Sequence, residues 1–208
     1  MIERLHLSVI LLVAAALWGV ILLFAGVDVS TQWFQPFSKV LGTLMILLSL
    51  FDMWLWKWRI FHPWLVKRPV LNGTWRAELK SNWINPATER GIPPIAGFMV
   101  VRQTFSRLSL RLITQESGSE VVGAEVIRSD DGMYSVFGVY RNEPRQSVRH
   151  RSAIHYGGMV LKVAGSPPDT MEGHYWTDRN TAGEIILTEH NEKHAGNFSS
   201  AQKLYIQR

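Results

Sequence analysis

The stretch SRLSLRLIT at residues 106–114 alternates apolar and polar side chains with a period of two. In an extended chain Leu108, Leu110 and Leu112 lie on one face, and Arg107 and Arg111 lie on the other. That period is typical of a β-strand with one buried and one wetter side, and it does not fit a helix. The stretch therefore predicts a sheet that covers a core on one face.

Similar segments follow one another from residue 73 to residue 190, and no part of this region shows sustained helical periodicity. The predicted strands are 73–82, 97–105, 108–114, 120–127, 133–141, 152–156, 160–163, 170–177 and 183–190. Turn residues separate many of them, at Ile92-Pro93-Pro94, Ser117-Gly118, Asp130-Asp131-Gly132, Gly157-Gly158 and Pro167-Pro168-Asp169. We predict a closed antiparallel up-and-down β-barrel of about eight strands, because closure removes exposed strand edges. A β-sandwich is the alternative fold.

The first predicted strand opens with Asn72-Gly73-Thr74-Trp75. This tetrapeptide resembles the Gly-x-Trp entry of lipocalin-like barrels, in which the indole plugs the base of the barrel. A turn glycine followed by a core tryptophan is the simpler interpretation, and the barrel prediction includes it.

Residues 1–66 have a different composition, which is densely apolar and aromatic. The runs 7–25 and 37–56 are each about 20 residues long, enough for a helix to span a bilayer core of about 30 Å. Arg4 and the basic cluster at 57–68 lie outside the two runs, and the connection 26–36 has no Lys or Arg. This charge bias predicts a transmembrane hairpin with both chain termini in the cytoplasm. A cleavable signal peptide is the competing interpretation of the first run, but no clear cleavage site follows it.

Asp52 lies near the end of the second apolar run. A carboxylate at membrane depth is costly unless it finds a polar partner. Proximity to the membrane interface, with Lys57 or Arg59 nearby, is one explanation. The other is a polar contact between the helices of neighbouring subunits, so we assign Asp52 to transmembrane assembly.

The 208 residues carry a formal net charge of +5 and include no cysteine. Much of the basic excess flanks the apolar runs and the rest is scattered among acidic residues, so we expect no DNA or RNA polymer as partner. The common nucleotide-cradling and nucleophile motifs do not occur, and His190, Glu192 and His194 do not match a zinc-binding pattern. We therefore predict a protein that is not an enzyme, with no catalytic residue, no metal and no cofactor.

Arginines and aromatic residues in the strands suit a phosphorylated ligand that carries bases. Arginine donates two parallel hydrogen bonds to a phosphate, and an aromatic ring offers a stacking surface. The candidates are Arg102, Arg111, Arg141, Arg179, Trp75, Tyr140, Tyr175 and Trp176. For each of them a place on the surface or in the core is the simpler interpretation.

The order of these features resembles a bacterial antiphage family, the CBASS effectors that have two transmembrane helices and a β-barrel and are associated with CD-NTase nucleotide cyclases. The resemblance rests on the segments Leu71-Asn72-Gly73-Thr74-Trp75, Thr114 with Ser117 and Ser119, Tyr140-Arg141-Asn142-Glu143-Pro144, His155-Tyr156-Gly157, and Glu172-Gly173-His174-Tyr175-Trp176-Thr177-Asp178-Arg179 with Thr181 and Gly183. Together with the predicted N-terminal hairpin, the likeness extends over nearly the whole chain.

The resemblance implies that a partner CD-NTase cyclase makes a cyclic di- or trinucleotide during infection and that the cytoplasmic barrel, residues 67–208, binds it. The bound chain would then form homo-oligomers, disrupt the lipid of the bacterial inner membrane and kill the infected cell. The expected ligand-binding residues are Trp75, Arg102, Arg111, Tyr140, Tyr175, Thr177 and Arg179, and the strongest of these are Tyr175, Thr177 and Arg179. A membrane-tethered, lipocalin-like carrier or sensor of an apolar ligand is the alternative function, and a membrane-bound hydrolase is a third.

Overall fold

The computed structural model describes residues 12, 15–16, 18–20, 23–24, 31–61, 65–85, 88–165 and 167–206, with side chains of the long N-terminal helix described from residue 42 onward. The chain divides into two compact units. The first unit comprises Met1–Val66 with Thr104–Ser106, and the second comprises Lys67–Gln103 with Arg107–Arg208.

The first unit contains helix α1, Thr31–Met53, followed by the short 3-10 helices Leu55–Lys57 and Arg59–Phe61. Large apolar side chains are exposed along α1, among them Ile46 at 62 %. The Oδ1 atom of Asp52 accepts hydrogen bonds from the Ser106 amide at 2.8 Å and the Thr104 hydroxyl at 3.4 Å. Asp52 therefore fixes the segment Thr104–Ser106 within this unit.

Among the described residues, no helix combines the length and the apolar character that crossing a membrane requires. The structure therefore does not support the predicted transmembrane hairpin. The first predicted span, 7–25, lies largely outside the described residues. The second, 37–56, overlaps α1, which ends at Met53 because Trp54, at φ −134° and ψ −46°, leaves the helical conformation.

The second unit is a closed barrel of eight antiparallel strands, as the alternation predicts. The barrel strands are β1 (Gly73–Ser81), β4 (Ile95–Gln103), β5 (Leu108–Thr114), β6 (Ser117–Arg128), β7 (Tyr134–Pro144), β8 (His155–Gly165), β9 (Pro168–Thr177) and β10 (Ala182–Asn191). Strands β4 to β10 pair in chain order, and β1 closes the barrel between β10 and β4. A separate two-stranded sheet, β2 (Ile84–Asn85) with β3 (Arg90–Gly91), lies in the β1–β4 connection. The alternative sandwich fold is wrong.

The turn predicted at Gly157-Gly158 is wrong, because both residues lie within the continuous strand β8. A Cβ on Gly157 would lie 2.5 Å from the Tyr140 ring, and a Cβ on Gly158 would meet the Trp176 indole. Both glycines therefore make room for aromatic rings on neighbouring strands rather than ending a strand. Ser117-Gly118, a second predicted turn, instead begins strand β6, where both residues pair with β7.

A C-terminal helix, α2 (Phe198–Ile206), was not expected from the sequence. The Asn197 side chain accepts a hydrogen bond from the Ser200 amide at 2.8 Å and so caps its first turn. The Phe98 ring lies 5.4 Å from the rings of both Phe198 and Tyr205. Tertiary packing of these rings supports a helix whose nine residues are too few to show a clear period.

Candidate functional site

The interior of the barrel has a packed half and an open half. The inward side chains of the packed half are apolar and almost fully buried, and they include Leu71, Trp75, Val101, Leu110, Val136, Leu161, Met171 and Leu187. The Trp75 indole N–H donates to the Leu71 carbonyl at 2.9 Å, which satisfies its one donor inside this core. Side chains thus fill one half of the barrel, and the other half holds a cavity.

The cavity has a volume of about 780 Å³, within the range of about 300–1,000 Å³ for small-molecule sites. Its walls carry apolar, aromatic, polar and charged side chains, including Leu79, Trp83, Pro93, Met99, Thr114, Glu116, Ser119, Tyr140, Asn142, Arg151, His155, Tyr175, Thr177, Arg179, Thr181 and Ile185. The site therefore offers both stacking surfaces and hydrogen-bonding groups.

A row of buried polar residues crosses three neighbouring strands. Ser119 on β6 pairs with Asn142 on β7, and Asn142 pairs with His155 on β8. The Ser119 hydroxyl donates to Asn142 Oδ1 at 2.8 Å, and within the described part of the chain the Asn142 NH2 group has no acceptor, so it can donate to a ligand. Buried polar groups are costly without partners, so this row marks the wall where a polar ligand is best accommodated.

His155 is a neutral hydrogen-bonding group in this row. Burial lowers its pKa, and the nearby Arg179 lowers it further, against the opposing effects of the Ala153 carbonyl and Asp178. The ring Nδ1 lies 3.0 Å from the Ala153 carbonyl oxygen. Because a carbonyl only accepts, Nδ1 carries the proton and Nε2 is an acceptor.

Two tyrosines, Tyr140 on β7 and Tyr175 on β9, also line the cavity, and each lies opposite a glycine on a neighbouring strand. Tyr140 pairs with Gly157, and Tyr175 pairs with Gly183, where an added Cβ would lie 2.8 Å from the Tyr175 hydroxyl. The Tyr140 hydroxyl donates to the Trp176 carbonyl at 3.3 Å. Burial, together with the neighbouring Tyr175, raises the pKa of Tyr140 to about 12, so its hydroxyl stays protonated at neutral pH.

The turn after β9 places Arg179 at the edge of the cavity. The Thr177 hydroxyl accepts from the backbone amides of Arg179 at 3.2 Å and Thr181 at 3.3 Å, and it lies 2.7 Å from the Thr181 hydroxyl. The Arg179 guanidinium donates to the Ser152 hydroxyl at 3.4 Å. Thr177 therefore organises the turn that carries a cationic group to the cavity.

A second arginine lies at this edge in an ion pair. The Arg151 guanidinium donates to the Glu116 carboxylate at 2.6 Å, and both side chains are more than half exposed. Arg151 belongs to the segment 145–152, whose backbone is joined to Glu116 by a hydrogen bond from the Arg145 amide to the Glu116 carbonyl at 2.8 Å.

Four of the residues predicted from the sequence to bind ligand line the cavity, namely Tyr140, Tyr175, Thr177 and Arg179. Three others do not. Trp75 lies in the packed half, and Arg102 and Arg111 are exposed on the outer surface, where Arg111 pairs with Glu120 at 3.5 Å. Each arginine follows a strand residue that points inward, so alternation directs its own side chain outward.

Several cavity residues were not among the predicted ligand contacts, notably Ser119, Asn142, Arg151 and His155. Asn142 lies two residues after Tyr140 on the same strand, so its inward direction follows from alternation. Strand pairing then places Ser119 and His155 beside it. Arg151 lies in a loop, where alternation gives no signal.

The family model described as "Cap15, cyclic dinucleotide receptor domain" matches residues 66–189. The matched range includes all eight barrel strands, apart from the end of β10, and nearly every residue of the cavity wall. No curated protein matches the chain.

Proposed function

The chain belongs to the family of Cap15 cyclic dinucleotide receptor domains, and from this premise we propose that the open half of its barrel is where a cyclic dinucleotide binds. The observation that carries the proposal is one cavity of about 780 Å³ that combines aromatic walls, a buried polar row and a cationic edge. A cyclic dinucleotide presents two bases for stacking, base edges for hydrogen bonding, and two phosphates.

Each part of the site has a counterpart in such a ligand. The rings of Tyr140 and Tyr175 offer stacking surfaces for bases. His155 Nε2 suits an exocyclic amino group, and the Asn142 amide suits an acceptor on a base edge. Arg179 suits a phosphate, because a guanidinium forms paired hydrogen bonds with phosphate oxygens.

A carrier of an apolar ligand is disfavoured by the same features. The apolar half of the barrel is filled by residues such as Leu161 and Met171, each fully buried. An apolar ligand in the open half would cover Asn142 and His155 without bonding to them, and unpaired buried polar groups cost free energy.

Calorimetry on the full-length chain tests the binding step, with cyclic di-AMP, cyclic di-GMP and cyclic GMP–AMP as probes. We expect at least one probe to bind and Arg179→Gln to weaken that binding by about tenfold, which corresponds to a charge-assisted hydrogen bond. The matched control is Arg128→Gln, because Arg128 is exposed at the far end of β6. Absence of binding by all three probes, or equal effects of the two substitutions, contradicts the proposal.

The proposed outcome of binding is self-association and membrane disruption in an antiphage response, with the ligand supplied by a CD-NTase cyclase. Exposed apolar side chains support self-association. They form an outer apolar strip on the face of β6 to β9, made of Val122, Phe137, Val139, Tyr156 and Trp176, each more than 40 % exposed. Contiguous exposed apolar surface is typical of interaction sites.

The N-terminal unit supports the membrane step. Its side chains at Leu44, Met45, Ile46 and Leu47 are exposed and apolar, a surface that suits lipid better than water. We propose that this segment inserts into the bacterial inner membrane. Dye release from vesicles of bacterial lipid tests the step: we expect release only when chain and cyclic dinucleotide are both present. Release that is independent of ligand, or recovery of the protein in a carbonate-washed supernatant, contradicts it.

Val139→Asp tests the association step. Val139 is 54 % exposed on the outer apolar strip, so the substitution places a charge in the proposed contact without affecting the cavity wall. We expect ligand binding to persist and ligand-dependent oligomers to disappear in light scattering. Oligomers of unchanged size would assign association to another surface.

A further inference from the structure

Charge at the cavity edge is partly cancelled by the protein itself. Among the described residues that line the cavity, the fully charged side chains are Arg151, Arg179 and Glu116. Glu116 holds the Arg151 guanidinium at 2.6 Å, whereas Arg179 bonds to the neutral hydroxyl of Ser152. A ligand with two phosphates thus meets Arg151, whose charge is paired with a carboxylate, and Arg179, whose described partner at this edge is a neutral hydroxyl.

Both arginines lie at the same segment of chain. Arg151 belongs to the segment 145–152, and Arg179 bonds to Ser152 within it. The amides of Arg151 and Ser152 donate to the Val148 carbonyl at 3.1 and 3.0 Å, which folds the segment into a helical turn beside the cavity. The segment therefore brings Arg151 and, through the bond to Ser152, Arg179 to the same edge of the cavity, where one small ligand with two phosphates could meet both.

The Glu116–Arg151 pair is weak enough to be exchanged. Its side chains are 56 % and 57 % exposed, and an exposed ion pair contributes about 0.2–1 kcal/mol. A phosphate oxygen can replace the carboxylate oxygen at Arg151 with the same number of charge-assisted hydrogen bonds. Water then solvates the released Glu116 carboxylate, which is already more than half exposed.

We propose that Arg151 is a second phosphate-binding residue and that Glu116 is a built-in competitor for it, so that a ligand phosphate must displace the Glu116 carboxylate to bind fully. The proposal rests on the proposed function and adds a residue that sets affinity. Glu116 raises the ligand concentration at which the site fills, because part of the binding free energy is used to separate the ion pair.

Glu116→Gln tests the proposal in calorimetric titrations of the full-length chain with the tightest-binding of the three cyclic dinucleotides. We expect binding to tighten by about two- to fivefold, which is the fold-change equivalent of an exposed ion pair. Arg151→Gln is expected to weaken binding by about tenfold. The matched control for the first substitution is Glu172→Gln, because Glu172 is exposed on β9 outside the cavity, and we expect it to change the affinity by less than about twofold.

The double variant separates competition from simple repulsion. If Glu116 acts by holding Arg151, Glu116→Gln has almost no effect once Arg151 is replaced by Gln, because nothing is left to compete for. If Glu116 only repels the ligand, the same two- to fivefold gain persists in the double variant, and the competitor role is wrong. Because Glu116, Arg151 and Glu172 are all exposed, unfolding temperatures close to that of the wild type are expected to confirm that each variant is folded.

Failure of this inference and failure of the proposed function give different results. If no cyclic dinucleotide binds the wild-type chain, both are overturned. If the wild type binds and Arg179→Gln weakens binding, while Glu116→Gln leaves the affinity unchanged or lowers it, the competitor role alone is overturned.

Discussion

Thr177→Val is the substitution whose effect follows most directly from the described hydrogen bonds. Valine has nearly the shape of threonine, so the barrel wall keeps its packing while the hydroxyl is lost. That hydroxyl is an acceptor for the backbone amides of Arg179 and Thr181 and a partner of the Thr181 hydroxyl. We expect the turn to loosen and Arg179 to lose its fixed position beside the cavity.

The expected loss in the free energy of unfolding is the sum of three hydrogen-bond contributions. The two amide contacts, at 3.2 and 3.3 Å, are at the upper limit of ordinary N–H···O distances or just beyond it, so each is assigned about 0.5 kcal/mol. The hydroxyl pair of Thr177 and Thr181, at 2.7 Å, is assigned about 1 kcal/mol. Water reaches the exposed turn and replaces part of these bonds. The net loss in the free energy of unfolding is therefore expected to be about 1–2 kcal/mol.

Urea unfolding and calorimetric titration measure the two consequences, and Thr177→Ser is the matched variant that keeps the hydroxyl. We expect Thr177→Ser to retain most of the stability and affinity, and Thr177→Val to weaken cyclic dinucleotide binding by about tenfold. Thr188→Val is a second control, because the Thr188 hydroxyl makes no hydrogen bond in the part of the chain that the structure describes. Equal losses for Thr177→Val and Thr177→Ser would refute the role assigned to the hydroxyl.

Three further predictions concern other parts of the molecule. Gly158→Ala is expected to lower the free energy of unfolding by about 1 kcal/mol, because the added Cβ displaces the Trp176 indole. In a Trp176→Ala background the same substitution is expected to cost nothing, and additive effects in a double-mutant cycle would contradict this. Asp52→Ala removes the acceptor of two bonds to Thr104–Ser106, so amide hydrogen exchange of that segment is expected to rise by about tenfold, and unchanged exchange argues against the assigned role. Because the pKa of His155 is lowered in the folded chain, its neutral form stabilises the fold above about pH 6.5, and this stability is lost as pH falls through the lowered folded-state pKa. We expect His155→Gln to flatten the acid slope of the unfolding free energy, and an unchanged slope would assign it to other groups.

The barrel was predictable because alternation is a local property of the sequence. In the stretch 106–114, Leu110 is fully buried and Arg111 is exposed, as the period of two requires. The same rule applied consistently would have removed Arg102 and Arg111 from the predicted site, because a closed barrel turns its wetter strand face to the outside. The two arginines were predicted from their chemistry alone, but their positions in the alternation place both side chains on the outer face of the barrel.

The glycines of β8 could not be interpreted from the sequence alone. Gly157 and Gly158 resemble a turn, but they lie opposite Tyr140 and Trp176 on neighbouring strands. Their role depends on pairs of residues that are far apart in the chain. The rim contact between Glu116 and Arg151 has the same origin, because two loops meet there only after the barrel has closed.

Because side chains alternate along a strand, residues that face the cavity are directly bonded to residues that face the outer surface. On β9, Tyr175 and Thr177 face the cavity, and Trp176 between them faces outward in the outer apolar strip. The Tyr140 hydroxyl, within the cavity wall, bonds to the backbone carbonyl of that same Trp176. A ligand that moves Tyr140 or Tyr175 therefore acts on the backbone that carries the Trp176 indole. This gives ligand binding a direct physical route to the surface proposed for self-association, and a ligand can favour the associated state only through such a difference in contacts.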